Sequence, residues 1–297
     1  MNLSGSLCSG WGMETINLGH WLAHASRSLS SISEQPRLEA EVLAAHGLQS
    51  SRAAVLAHPE KALDLETLRR LEQSLSSLVA GEPLPYILGE WEFFGRKFIL
   101  SPAVLIPRPE TELLVEQALF WVNKNPDKAL RIADVGTGSG CIAISLALEL
   151  TRSTVLASDL SISALLVAKE NIHRYGLEER LWLVRADLLA GFRGSFDLIC
   201  ANLPYIPTGR LARLAVADHE PIIALDGGED GLAYIERLLR QSPYLLAKGG
   251  LLLIELDDSH AEKAAQLARH QFTHARIDIL LDGQQQARVL RIENAVQ

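Results

Sequence analysis

From Ile16 to about Ala80, apolar residues recur at intervals of three and four: Leu18, Trp21 and Leu22, then Leu38, Val42 and Leu43, then Leu63, Leu68, Leu71, Leu75 and Leu78. Such spacing lines up one face of a helix, so it predicts a bundle of short amphipathic helices. Helix-start residues agree. Ser33 precedes the Leu38 segment, Ser50 and Ser51 precede RAAVLAH, and Asp64 precedes LETLRRLEQSL with Glu66 in its first turn; side-chain oxygens at such positions take up N–H groups that a helix leaves unpaired. His20, His24, His46 and His58 fall in or beside these segments and read as surface or half-buried histidines, not as ligands.

Between residues 81 and 109 the pattern changes. Pro83, Pro85, Pro102, Pro107 and Pro109 interrupt the short runs WEFFG and RKFILS, which predicts a β-hairpin linking two domains. Beyond it, strand-like and helix-like stretches take turns. Strands are predicted over 130–135, 153–159, 180–187 and 196–202, with helices over 140–150 and 161–176. A helix over 231–250, closed by Gly249 and Gly250, then leads to a strand over 251–256, a helix over 259–271 and two closing strands over 275–282 and 287–294. Alternation at this spacing predicts a doubly wound α/β sheet, parallel apart from an antiparallel pair at its edge. The domain plan is a helical bundle over 1–80, irregular over 1–14, a hairpin linker over 81–109, and an α/β domain over 110–297.

Composition supports two folded domains. The chain has 297 residues, more than one compact core usually holds. With 48% apolar and 22% charged residues and a mean hydropathy of +0.11, it can bury a core, which excludes disordered and fibrous classes. The net charge is −8 and neither part is basic: residues 1–100 carry 8 Lys/Arg against 11 Asp/Glu, and residues 101–297 carry 20 against 25. A polyanion would find no basic track, so no direct nucleic-acid partner is expected. Cys8, Cys141 and Cys200 are too few and too scattered for a disulfide framework or a zinc site; reduced thiols and no metal are expected. No apolar run reaches the roughly 18 residues of a membrane span. MNLSGSLCSGWGM lacks the basic start and apolar stretch of a signal peptide, and patterned sequence begins just after Met13. These features place the protein in the cytoplasm.

Two short motifs carry chemistry. Asp134-Val-Gly136-Thr137-Gly138-Ser139-Gly140 ends the first strand of the α/β domain and opens its first helix, where such a sheet receives a nucleotide-like ligand. Glycines let the chain turn tightly against a bulky ligand while N–H groups at the helix start face it. Asp159 closes the second strand, nineteen residues after Gly140, where a carboxylate can accept both ribose hydroxyl protons. A dinucleotide fingerprint would need Gly or Ala at 141, where Cys141 stands. The compact GxGxG after an acidic residue suits a cofactor without pyrophosphate, S-adenosyl-L-methionine. Asp134 fits a place near its cationic methionine end, and equally a structural cap of the loop. The second motif, Asn202-Leu203-Pro204-Tyr205, ends the fourth strand; in isolation it also reads as a turn.

Together, DVGTGSG and NLPY resemble methyltransferases that modify planar NH2 groups through an Asn/Asp-Pro-Pro-Tyr/Phe motif. Over residues 15–293 the chain is further similar to the release factor glutamine methyltransferases (the HemK/PrmC family), through PLPYILGEWEFFGRKF, LIPRPETELLVE, HEPIIALDGGEDGL and DGQQQARVL. The resemblance implies a Rossmann-like class I methyltransferase sheet carrying a small N-terminal helical bundle. It also implies methylation of the glutamine amide in the GGQ loop of peptide chain release factors; a monomer is expected. An amide nitrogen is a poor nucleophile, but its two donors can be clamped. By the resemblance the Asn202 side-chain oxygen and the Leu203 carbonyl hold them, Pro204 stiffens the turn and Tyr205 packs on the amide. Aligning two reactants can lower a barrier by roughly 7–11 kcal/mol. The loop from Asp134 through Gly140 would hold the cofactor with Asp159, with Asp187 and Leu188 near its adenine, and with Asn202.

The chain departs from the pattern at Leu203, where a proline is usual, and at Leu188, where many relatives carry an aromatic. After the fifth strand, IELDDSHAEK lacks the expected glycine and glutamine. Arg108 and Glu220 match family segments and read equally as a structural ion pair at a domain junction. The main rival is an adenine or cytosine amino-methyltransferase acting on DNA or RNA, whose exocyclic amine needs the same two acceptors; a small-molecule methyltransferase and a non-catalytic scaffold stand behind it.

Overall fold

A computed structural model describes residues 16–123 and 128–295; Cys8, Met13 and the irregular stretch expected over 1–14 lie outside them. The chain divides into two compact units that meet between Leu88 and Gly89.

The smaller unit holds helices α1 (Leu18–Leu29), α2 (Pro36–Gly47), α3 (Arg52–Ala57), α4 (Leu65–Val79) and α5 (Leu84–Leu88). Its core gathers Leu18, Trp21, Leu43, Leu71 and Leu75 from the three- and four-residue pattern, all nearly inaccessible. Each such side chain contributes about 1.5–3 kcal/mol by leaving water. Ser51 and Asp64 cap α3 and α4 by accepting from Ala54 N (3.1 Å) and Thr67 N (2.7 Å). Ser33 does not cap α2. It accepts from Gln35 N at 2.9 Å, and α2 starts at Pro36, whose missing N–H and fixed φ suit a first helical position.

In the larger unit, β1 (Glu90–Phe93) and β2 (Arg96–Ile99) form an antiparallel hairpin turned by Phe94 and Gly95, both at positive φ. The hairpin is no free linker: Phe93 and Phe98 are buried in the core of this unit. There follow α6 (Glu112–Val122), β3 (Arg131–Val135), α7 (Cys141–Glu149), β4 (Thr154–Asp159), α8 (Ile162–Tyr175), β5 (Leu181–Arg185), β6 (Phe196–Ala201), α9 (Thr208–Leu211), α10 (Ala233–Gln241), β7 (Leu246–Glu255), α11 (Ala261–Gln271), β8 (Arg276–Leu281) and β9 (Ala287–Glu293). The sheet runs β5-β4-β3-β6-β7-β9-β8, parallel from β5 to β7 and antiparallel at β7–β9 and β9–β8.

Period-two alternation sorts the strands between two cores. Ile132, Leu198, Cys200, Leu251 and Leu253 face one, with α6, α7 and the hairpin; Ala133, Val135, Ile199, Leu252 and Ile254 face the other, with α10 and α11.

One predicted helix is shorter than its pattern. α10 stops at Gln241, Ser242–Tyr244 turn as a 3-10 helix through Pro243, and Gly249 and Gly250 lie inside β7 instead of closing a helix. The glycines answer a sheet irregularity there, since Phe196 pairs with Leu246 but Leu198 with Leu251. A Cβ on Gly250 would stand 3.0 Å from the Asp197 carbonyl oxygen. Cys141 and Cys200 are buried free thiols; burial raises both pKa values, that of Cys141 to about 12, which keeps them protonated and unreactive. Among the described residues, no helix is long and apolar enough to cross a membrane.

Candidate active site

β4, β3 and β6 are neighbours running the same way, so their carboxyl ends deliver Asp159, the Asp134–Gly140 loop and Asn202 to one edge of the sheet, the ligand edge of this architecture. A cavity opens there, enclosing about 960 Å³ with its mouth. Its wall includes Gly136, Thr137, Gly138, Ser139, Asp159, Asp187, Leu188, Asn202, Leu203 and Pro204. Asp134, Gly140 and Tyr205 do not line it.

The loop half is built from backbone. Gly136 N and Thr137 N both donate to the Ser158 carbonyl at 2.9 Å, pinning the loop to β4. Asp159 accepts from Gly138 N through Oδ2 and from Ser161 N through Oδ1, both at 2.9 Å, which leaves each oxygen a further lone pair. Burial raises the Asp159 pKa against the pull of those N–H groups. Asp134 sits beneath the loop, fully buried; its Oδ2 accepts from Thr137 Oγ1 at 2.6 Å, while Oδ1 has no hydrogen-bond partner. Burial pushes its pKa up to about 7, opposed by the Thr137 hydroxyl and the Ala143 N–H. Asn171, also fully buried, ties this loop to the hairpin: it donates to the carbonyls of Ser139 (2.9 Å) and Ile99 (3.0 Å) and accepts from Ile99 N (2.7 Å).

These residues fit S-adenosyl-L-methionine. Gly138, at φ +55°, has open space where a Cβ would stand, so a ligand can lie against its backbone. The spare Asp159 lone pairs suit vicinal hydroxyls, and a buried carboxylate with an unpartnered oxygen suits a cationic neighbour. Leu188 lines the cavity at φ +55°, its carbonyl accepting from Ser158 Oγ at 3.1 Å. A left-handed leucine costs roughly 1–2 kcal/mol, strain of a kind that gathers at ligand sites. Asp187 pairs with Arg237, whose guanidinium lies 5.7 Å from the ring centre of Tyr234 on the cavity wall.

The Asn202 half is built from side chains and loops far apart in the chain. Asn202 Nδ2 donates to Thr111 Oγ1 at 3.0 Å. Thr111 is itself buried. Tyr205 turns its hydroxyl to Glu255 Oε1 at 3.3 Å, and its ring centre lies 6.4 Å from that of His260; burial, then the Glu255 charge, raise its pKa. Glu255 is itself buried, and burial pushes its pKa up to about 7.

The segment after Asn202 is clamped by LDGGEDG. Ile206 N donates to Leu225 O (3.0 Å), Gly227 N to Ile206 O (2.8 Å) and Thr208 N to Gly228 O (2.9 Å). A Cβ on Gly227 would lie 2.7 Å from Tyr205 Cα and 2.8 Å from the Pro204 carbonyl oxygen, so only glycine lets the two backbones pass. Arg108 and Glu220 do pair, inside the larger unit, and Glu220 Oε2 also takes the Ile106 N–H at 3.0 Å. Thr111, Glu255, Gly227 and Asn171 have no roles in the sequence reading. The repeated glycines of LDGGEDG and the acid closing LLLIE were the available signals.

Comparison with known proteins adds a family. Residues 20–89 match the family model described as the PrmC N-terminal domain, and residues 111–219 the one described as the methyltransferase small domain. The release factor glutamine methyltransferase of Moorella thermoacetica is 43% identical over 251 residues, covering 84% of this chain and 88% of its own. That of Bordetella pertussis is 41% identical over 256 residues, covering 82% and 91%. A methyltransferase structure from Pyrococcus furiosus, with a TM-score of 0.50 at 15% identity over 77% of this chain and 98% of its own, shares the fold.

Proposed function

The chain belongs to the release factor glutamine methyltransferase family, and on that premise we propose that it methylates the side-chain amide nitrogen of the glutamine in the GGQ loop of peptide chain release factors. S-adenosyl-L-methionine supplies the electrophilic methyl group. The observation that carries this reading is the contact between the two halves of the site. A Cβ on Gly136 would stand 3.0 Å from Leu203 Cδ2 and 3.3 Å from the Asn202 carbonyl oxygen, so the glycine loop and the NLPY segment meet at one cavity wall.

In this reading the Asn202 side-chain oxygen and the Leu203 carbonyl accept the two amide hydrogens and aim the nitrogen. Asp159 holds ribose hydroxyls, Gly136 through Gly140 shape the cradle, Asp134 faces the cationic end from beneath, and Asp187 with Leu188 flank the adenine. Alignment carries the catalysis, because the nitrogen becomes acidic only after it has gained the methyl group and can then lose its proton to solvent. Leu203 supplies a backbone carbonyl as proline would, and Pro204 keeps the turn stiff. Tyr205 lies off the cavity wall and turns its hydroxyl to Glu255. The helical unit serves a protein partner, for which a small substrate would have no need. The enzyme works in the cytoplasm as a monomer, without nucleic acid; the acidic balance of both parts of the chain supports the last point.

The test incubates purified protein with labelled donor and a release factor carrying Gln or Ala in the GGQ loop. Label in the Gln form alone is expected. Label in both forms, or in neither, removes the glutamine assignment, and label in tRNA, rRNA or DNA instead favours the amino-methyltransferase rival.

A further inference from the structure

Four residues other than glycine take a positive φ among the described residues, and of these only Leu188 lines the cavity. A Cβ disfavours that conformation, so left to itself the segment would relax and the wall would move. We propose that Ser158 and Gln241 are positioning residues for the donor, gripping the Leu188–Leu189 peptide by its two polar ends and so holding Leu188 where it meets the adenine. The proposal rests on the donor reading given above, in which Asp187 and Leu188 flank that ring.

The grip follows from where each peptide group is bonded. The Leu188 carbonyl accepts from Ser158 Oγ at 3.1 Å, and the N–H at the other end of the same planar unit, that of Leu189, donates to Gln241 Oε1 at 3.0 Å. The peptide on the far side of Leu188 is held as well, its Asp187 carbonyl accepting from Ala190 N at 3.0 Å. With both flanking peptides fixed, Leu188 cannot turn to negative φ without breaking a hydrogen bond. Ser158 and Leu189 are 1% and 2% exposed, so water does not replace a bond that is lost. Ser158 lies in β4, where its own carbonyl pins Gly136 and Thr137, so one residue sets the spacing between the glycine loop and the Leu188 segment. Gln241 closes α10 one turn beyond Arg237, which pairs with Asp187, and Tyr234 on the cavity wall lies one turn before Arg237. One face of α10 thus braces residues 187–189. The Leu188 segment differs in this from the glycine loop, part of its support lying 52 residues downstream. Neither Ser158 nor Gln241 lines the cavity, so each acts through Leu188 and not on the ligand.

The experiment measures, by calorimetry on the full-length protein, the binding of S-adenosyl-L-methionine and of methylthioadenosine, which keeps the adenosine end and lacks the amino acid. Ser158→Ala and Gln241→Met should each weaken both ligands by about 3- to 10-fold, the loss of one hydrogen bond. Gln241→Glu keeps an acceptor oxygen for Leu189 N and should bind both within about twofold of wild type. A glycine takes positive φ unaided. In a Leu188→Gly background, Gln241→Met should therefore cost less than about twofold, whereas a hydrogen bond with no part in holding Leu188 would cost the same in both backgrounds. Unchanged affinity in Ser158→Ala and Gln241→Met, failure of glutamate to restore binding, or an undiminished loss in the glycine background each overturns the brace. A loss for S-adenosyl-L-methionine with none for methylthioadenosine overturns the adenine placement on which the brace rests, so the two failures are distinct.

Discussion

The two halves of the candidate site are made in different ways. The glycine-loop half is mostly local: apart from the Asn171 bridge to the hairpin, its contacts run among residues 134–161, between backbone groups, the Thr137 hydroxyl and the carboxylates of Asp134 and Asp159. The Asn202 half draws its geometry from Thr111, Glu255 and the 225–231 loop, side chains and turns that meet only in the folded sheet. A local, backbone-built cradle is damaged by what touches its ligand. A half assembled from distant segments is damaged by changes that touch no ligand at all.

The contrast is sharpest at Gly227. Valine there would drive its Cβ into the Tyr205 and Pro204 backbone, displacing the acceptor segment while the glycine loop stays in place. Transfer should fall by more than about 100-fold, the effect of roughly 1 Å of misplacement, with donor affinity measured by calorimetry nearly unchanged. Equal loss of both would show that the halves are not separable. Asp159→Ala should do the reverse, weakening donor binding by about 10- to 100-fold, as expected for hydrogen bonds to a charged group, with kcat at saturating donor within a few-fold of wild type.

Acidity reaches the site through its two buried carboxylates. Burial lifts Asp134 and Glu255 from ordinary values of 3.8 and 4.5 to about 7, so between those limits the folded state binds protons more tightly than the unfolded chain. Stability from these two groups therefore rises as pH falls from 8 towards 5. Thermal unfolding measured over a pH series checks the sign. The smallest effect on transfer is expected at Asn171. Alanine there strands the Ile99 and Ser139 backbone groups and should cost about 2–3 kcal/mol of stability, read by urea denaturation, with a few-fold loss of donor affinity.

The same difference in construction explains what could be read from the chain. DVGTGSG, Asp159 and NLPY announce themselves because glycine freedom and strand-end position are properties of a few adjacent residues. The period-two strands were legible for a similar reason, each side chain's face being set by its neighbours. Thr111 and Glu255 carry no such signature: a threonine after PRPE and an acid closing an apolar strand acquire roles only when β6 and β7 lie side by side. The helix read through to Gly250 failed on Pro243 and on a sheet irregularity whose partner strand lies about fifty residues upstream. Ser33 does not reach the capping position, which falls to Gln35 because α2 starts at Pro36, whose fixed φ suits a first helical residue.

The most direct measurement is single-turnover methylation by Asn202→Ala, with donor and release factor both saturating and donor affinity determined in parallel. If the Asn202 oxygen is half of the amide clamp, the rate should fall by about 10²–10³-fold, the usual loss when one preorganised polar contact is removed, while the donor binds as before. An unmutated rate in that variant would contradict the clamp, whatever the family likeness of the chain.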